Sequence, residues 1–164
     1  MSNPPFLSSY RVYYEDTDAA GVVYYANYLK YAERARTEYL RHIYQSPSQI
    51  AEKHGVVFVV RKCEIDYMLP AFLDDMLVVQ TKISQVRAAM IGMEQQIIRN
   101  QQHLVHIKII LACVEVKKIQ VARIPAPLRQ KLTDVCPESL KPRIIETMTK
   151  EIHHGSPNLN FRYQ

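Results

Sequence analysis

Tryptophan is absent from this chain, long apolar runs are absent too, and its 164 residues include only three cysteines. Each shortage excludes something. No stretch approaches the ~18 consecutive apolar residues of a membrane span, so no transmembrane segment is predicted. The opening residues, MSNPPFLSSY, lack a basic segment followed by an apolar run, which predicts no secretory leader. Cys63, Cys113 and Cys136 are odd in number and far apart, which suits neither a disulfide framework nor a CxxC zinc site. They are expected as buried free thiols in a reducing cytoplasm. The cations are dispersed, with only the short pairs Arg61-Lys62 and Lys117-Lys118. Without tryptophan, and without aromatics interleaved among those cations, there is no stacking platform for single-stranded nucleic acid.

What remains is a chain with 48% apolar and 23% charged residues, a formal charge of +5 and a pI of about 9.1. That composition predicts a folded domain with a real core. The basic surplus suits nucleic acid, an anionic membrane or a small ligand that carries phosphates, and the dispersed cations weigh against the first. No internal repeat or low-complexity linker divides the chain.

Periodicity orders the elements. Residues 8–14 alternate as a first strand, with Tyr10, Val12 and Tyr14 on one face. A helix follows from Asn27 to Ile43, carrying Leu29, Ala32, Ala35 or Arg36, Tyr39 and Ile43 at helical spacing, with Asn27 as its N-cap. Its alanines allow close approach of another element, and Arg34 is placed to pair with Glu38 one turn on. A short helix around 47–54 ends before Gly55. From there the period falls to two. Cys63, Ile65 and Tyr67 alternate with Glu64 and Asp66, and Leu77, Val79, Thr81 and Ile83 alternate with Gln80, Lys82 and Ser84. AAMIGMEQQIIR is the next strand. Val105, Ile107, Ile109 and Leu111 share a face of the last. RNQQHL joins those two as a hairpin, and IPAPLRQKL opens a closing helix with proline. One long helix against an antiparallel sheet of about five strands is an α+β fold. The boundary falls at 132, and residues 133–164 form an extension, partly helical or flexible, with an amphipathic helix near 138–152. Val78, Ile110, Ala112, Val114 and Val116 fall on a second apolar face, which predicts burial against another copy.

The chemistry concentrates in YYEDTDAAGVVYYANYLKYAERAR, residues 13–36, where Glu15, Asp16 and Asp18 precede a glycine and a helix start. A calcium loop of the EF-hand kind does not fit, because the fifth position from Asp16 is Ala20 and the twelfth is Asn27. His103 and His106, three apart in a strand, are expected on opposite faces, which leaves no metal site. The alternative to a plain turn is a reactive carboxylate. Asp18 stands beside Ala19, Ala20 and Gly21, where a ligand can come close to the backbone. The unpaired N–H groups of the first helical turn, near Tyr24, Tyr25 and Ala26, form a positive pole able to hold a carbonyl oxygen as it gains charge. An ionised carboxylate beside such donors can activate water or attack an acyl carbon.

The segment VYYEDTDAAGVVYYANYLKYAERARTEYLR resembles the signature of the hotdog-fold thioesterases. It is most similar to the Tol–Pal-associated acyl-CoA thioesterase family, with the 4-hydroxybenzoyl-CoA thioesterases as near relatives. FVVRKCEIDYMLPAFLDDMLVVQT carries the same likeness, which spans about residues 8–132. The resemblance implies a cytoplasmic hydrolase that cleaves acyl-CoA, needs no metal or cofactor, and has Asp18 as catalytic carboxylate and the Tyr25 N–H as donor to the thioester carbonyl. Many relatives have histidine where this chain has Tyr25. It also implies sheets joined edge to edge in dimers, a homotetramer of such dimers, and active sites shared between copies. The candidates for coenzyme A phosphates are Arg61, Lys62 and Arg87, with Tyr24 as a pocket wall. Tyr24, Tyr25 and Tyr28 are expected chiefly to pack, and Glu33 and Arg36 to organise the helix and a subunit contact. A hotdog hydratase would need histidine at position 23, which is Val23. A non-catalytic partner on the same fold, binding an acyl carrier protein or an envelope complex, is the reading of another class.

Overall fold

The computed structural model describes residues 4–137. The chain runs β1 (Phe6–Arg11), a 3-10 turn (Tyr14–Asp16), α1 (Asn27–Ile43), α2 (Pro47–His54), β2 (Val56–Tyr67), β3 (Met76–Val86), β4 (Met90–Arg99), β5 (Gln102–Glu115), β6 (Gln120–Val121) and α3 (Ala126–Val135). The strands make one antiparallel sheet in the order β1-β3-β4-β5-β2, and the short β6 adds to the end of β5. This is the α+β hotdog architecture that the sequence led us to expect, with a sixth strand and α3 running on to Val135. The amphipathic helix expected near 138–152 lies outside the described residues.

The sheet curls around α1. Tyr28, Tyr31, Ala32, Ala35 and Tyr39 are buried on the helix, against Leu77, Val79, Ile83, Ile97, Val105 and Ile107 of the central strands. Each large side chain so buried contributes about 1.5–3 kcal/mol. The alanines do allow close approach: Gln95, fully buried on β4, donates from Nε2 to the Ala32 carbonyl at 2.9 Å and to Thr81 Oγ1 at 2.9 Å. Its Oε1 accepts from Arg36 at 2.8 Å. Every polar atom of this side chain is therefore paired, as burial requires.

Several local expectations are corrected. β1 stops at Arg11, and Tyr14 is 81% exposed, because the Asp16 carboxylate accepts the Tyr13 N–H at 2.9 Å and turns the chain. Asn27 is not the N-cap: Ala26 is, without a side-chain cap, and Asn27 is buried and donates elsewhere. Leu29 is exposed, since the buried arc runs through Tyr28, Ala32, Ala35 and Tyr39, fastened at the Ala32 carbonyl by Gln95 of β4. Glu38 pairs with Arg41, not Arg34. Cys63 is exposed on the edge strand, whereas Cys113 and Cys136 are buried. The hairpin at RNQQHL forms with Asn100 and Gln101 at φ 47° and 66°, the left-handed pair that suits a two-residue turn. A register shift between Ile97 and Ile98 sets His103 opposite Ile98 and His106 opposite Gln96. Those two partners face Val78 and Gln80, so the histidines share a face. Among the described residues no cluster of metal-ligating side chains forms, and no helix is long and apolar enough to cross a membrane.

Among the described residues, β2 pairs only with β5, so its other edge is open along twelve residues. The described residues also leave the outer face of the sheet uncovered. It is apolar around Ile110, Ala112 and Val114 at one end and at the Val78–Ile98 pair toward the other. The adjoining row across four strands reads Lys82, Glu94, Lys108, Glu64, so the second face is a mosaic rather than a wholly apolar one.

Candidate active site

Three local interactions build the loop before α1. Thr17 bridges to Val23, the Asp18 N–H donates to the Val22 carbonyl at 2.9 Å, and the Gly21 N–H donates to the Asp18 carbonyl at 3.0 Å. Gly21 closes this loop at φ +76°, which a side chain would strain. One Asp18 carboxylate oxygen accepts the Ala20 N–H at 2.8 Å, fixing the side chain at the loop tip. The other has no partner among the described residues, and the carboxylate is exposed to solvent. The loop is gripped from behind: Val23 N–H donates to the Ala71 carbonyl at 2.9 Å, Val22 bridges to Phe72, and the Tyr28 hydroxyl accepts the Ala71 N–H at 2.9 Å. Arg99 holds this 70–75 segment through Asp75, at 2.6 Å, and the Pro70 carbonyl.

The helix start is held as firmly. The Asp16 carbonyl accepts both the Tyr24 N–H and the buried Asn27 Nδ2, each at 2.9 Å. The Asn27 N–H donates to the Tyr24 carbonyl at 2.8 Å. Between these ties the Tyr25 N–H has no acceptor among the described residues, so a donor remains for a ligand. The Tyr25 carbonyl accepts the Tyr67 hydroxyl, at 3.0 Å, from the far end of β2. Tyr24 and Tyr25 are exposed, with rings 4.7 Å apart, and do not pack in the core; Tyr28 does. The Tyr24 hydroxyl ionises less readily than an ordinary tyrosine, first because of the neighbouring Tyr25 hydroxyl and further because of the Asp18 charge.

The expected cations are not brought there within one chain. A bulge at Arg61 interrupts the register between Val60 and Lys62 and turns both Arg61 and Lys62 to the outer face. Arg61 reaches Met90 Sδ, and Lys62 pairs with Glu64. Arg87 is exposed in the β3–β4 turn, where its N–H donates to the Met90 carbonyl at 2.8 Å. This turn sits beside the Val56 end of β2, whereas Asp18 and Tyr25 sit beside the Tyr67 end. An open cavity of about 450 Å³ lies along α1, between Leu29, Glu33 and Arg36 on the helix and Val60, Cys63 and Ile109 on the sheet. Arg36 reaches past it to Gln95, consistent with a helix-organising role; burial lowers its pKa. Sequence reasoning passed over Tyr67, whose role depends on a partner 42 residues away.

Comparison with known proteins agrees with this geometry. The profile of the Thioesterase-like superfamily matches residues 12–132. The acyl-CoA thioesterase YbgC of Haemophilus influenzae is 44% identical over 79% of this chain and 95% of its own length. The acyl-CoA thioester hydrolase YbgC of Escherichia coli is 41% identical over 76% of this chain and 93% of its own. The crystal structure of a probable thioesterase from Bartonella henselae superposes with a TM-score of 0.69 at 37% identity, covering 73% of this chain and 98% of that one.

Proposed function

The chain belongs to the thioesterase-like superfamily and is an acyl-CoA thioester hydrolase, and we propose that Asp18 and the Tyr25 amide carry out the cleavage. The observation that carries this reading is the pairing of a half-free, solvent-exposed carboxylate with an unclaimed backbone N–H at a helix start. The thioester carbonyl oxygen lies on the Tyr25 N–H. Water attacks the carbonyl carbon and gives its proton to the free Asp18 oxygen. The oxyanion of the tetrahedral intermediate is held by the Tyr25 N–H, and the helix pole adds to that hold. The C–S bond then breaks, and the proton passes from Asp18 to the departing coenzyme A thiolate. Neither a metal nor a redox group takes part in this scheme.

We extend the reading to assembly. The open edge of β2 suits an antiparallel join with the β2 of a second copy. Such a join sets the Val56 end of one strand beside the Tyr67 end of the other. The Arg87 turn of one copy then approaches the Asp18 loop of its neighbour, where it can meet the phosphates of coenzyme A. Arg61 and Lys62 stand on the outer side of the same seam, and Tyr24 on the wall of the acyl site. Pairs of such dimers stacked as a tetramer, placement in the cytoplasm with the Tol–Pal-associated group, and an acyl carrier protein as a second acyl donor complete the proposal. The motif resemblance supports these last points.

Asp18→Asn keeps the size of the side chain and removes the anion. Turnover of acyl-CoA, followed by thiol release, should fall about a hundredfold or more, with the fold intact by circular dichroism. Near wild-type turnover would remove Asp18 from the chemistry. A single turnover in ¹⁸O-water tests for direct attack: label in Asp18 requires a mixed anhydride opened by water at the Asp18 carboxyl carbon.

A further inference from the structure

The first turn of α1 is not an ordinary one. The Leu29 N–H bonds to the Ala26 carbonyl at 3.2 Å, a tight three-residue turn, and leaves the Tyr25 carbonyl to another donor. That donor is the Tyr67 hydroxyl, 3.0 Å away at the last residue of β2. The Tyr67 ring also lies edge-on to Tyr25, with centroids 6.3 Å apart, and to Tyr28, with centroids 5.8 Å apart. A phenylalanine would make those ring contacts equally well. The hydroxyl adds one thing only, a bond to the carbonyl of the residue whose N–H is unclaimed.

The two peptide planes flanking Tyr25 are thus fixed by different means. On the upstream side, in the peptide that carries the Tyr25 N–H, the Tyr24 carbonyl accepts the Asn27 N–H in a turn leading into the helix. On the downstream side the helix supplies no bond, and the Tyr25 carbonyl is tied to the sheet. A backbone donor assists a reaction in proportion to how well it is aimed before charge develops, because no energy is then spent turning it. We infer that Tyr67 is a positioning residue: its hydroxyl fixes the peptide that follows Tyr25 and, through the shared Tyr25 Cα, steadies the preceding peptide so that its free N–H points at the thioester carbonyl. The inference rests on the reading of Tyr25 as the donor and adds a residue that aims it.

The test uses the full chain. Losing an oxyanion donor outright costs about 10²–10³ in rate, and a donor that is present but loosely aimed costs part of that. Tyr67→Phe should lower kcat about tenfold while KM stays within about twofold. An S-alkyl coenzyme A thioether, with a methylene where the carbonyl stands, should bind the variant and the wild type equally. Thermal midpoints should match closely, because the ring contacts remain. Tyr67→Leu removes the ring as well and should do no better than Tyr67→Phe. Wild-type kcat in Tyr67→Phe, alongside an inactive Asp18→Asn, overturns the tie and leaves the catalytic reading standing. Weaker thioether binding by Tyr67→Phe, in step with its lost activity, makes Tyr67 a substrate contact and also overturns the inference. Full activity in Asp18→Asn removes the catalytic reading, and the inference with it.

Discussion

Replacing Gln95 with leucine should expose how α1 is fastened to the sheet. Gln95 is fully buried and makes three hydrogen bonds: it accepts from Arg36 and donates to the Ala32 carbonyl and the Thr81 hydroxyl. A bond to a charged group is worth about 1.5–3 kcal/mol net, and a neutral one about 1 kcal/mol. Leucine has similar bulk, so no large cavity opens. The Ala32 carbonyl keeps its place in the helix and loses little. Thr81, itself fully buried, is left without its donor, which adds a desolvation cost of about 1–3 kcal/mol. Against this, Arg36 borders the open cavity and can retreat into water, which trims the charged contribution. The expected loss is about 3 kcal/mol, or a thermal midpoint lower by roughly 6–12 °C for a chain of this size. Thr81→Val removes one neutral bond and should cost about 1 kcal/mol. Urea unfolding at one fixed protein concentration measures both, since any self-association would tie stability to concentration. The argument fails if Gln95→Leu unfolds within about 0.5 kcal/mol of wild type, or if Thr81→Val costs as much as Gln95→Leu.

Two further outcomes follow from other residues. Burial pushes the Cys113 thiol up to about 11 from the ordinary 9.0, so the fold favours its protonated form. That preference stabilises fully below pH 9 and is lost as pH rises through about 11, so the urea midpoint should drop across this window, and by less in Cys113→Ala; equal drops would refute the assignment. Arg87→Ala should raise KM for acyl-CoA while leaving kcat nearly unchanged, and the effect should vanish with acyl-pantetheine, which lacks the nucleotide; a KM rise with both substrates would point instead to the seam between copies.

How much of this was legible in the sequence depends on how far each interaction reaches. The helix at 27–43 and the strands with alternating Leu77, Val79, Thr81 and Ile83 follow from periodicity, and the structure keeps them. Asp18 and the helix start were legible because the loop is built from bonds between near neighbours. What could not be read depends on one side chain or on a distant partner. A single bond from the Asp16 carboxylate cuts β1 short, and nothing in the alternation of Tyr10, Val12 and Tyr14 announces it. Leu29 looks like core until Gln95, on a strand 63 residues from Ala32, fixes which arc of the helix faces inward. The bulge between Val60 and Lys62 is likewise unannounced by the alternation of Cys63, Ile65 and Tyr67. The Tyr67 hydroxyl finds the Tyr25 carbonyl only after β2 is laid against β5 and the loop has closed.

The bare edge of β2 has a consequence for what a freshly folded chain can recognise. An unpaired strand is a template that other exposed strands can join, and charges along it limit which ones do. Here two cations, Arg61 and Lys62, come first, and two anions, Glu64 and Asp66, follow, with Cys63 between the groups. A strand laid antiparallel against this edge meets opposite charges only if its own order is reversed in space, anions facing the cations. The same β2, turned end for end about a point near Cys63, presents that order. A strand carrying cations throughout meets like charge at half the charged positions, and the same β2 laid parallel in register meets it at all of them, so both are repelled. The charge order along this edge thereby favours self-recognition over joining to the other unpaired strands of a crowded cell.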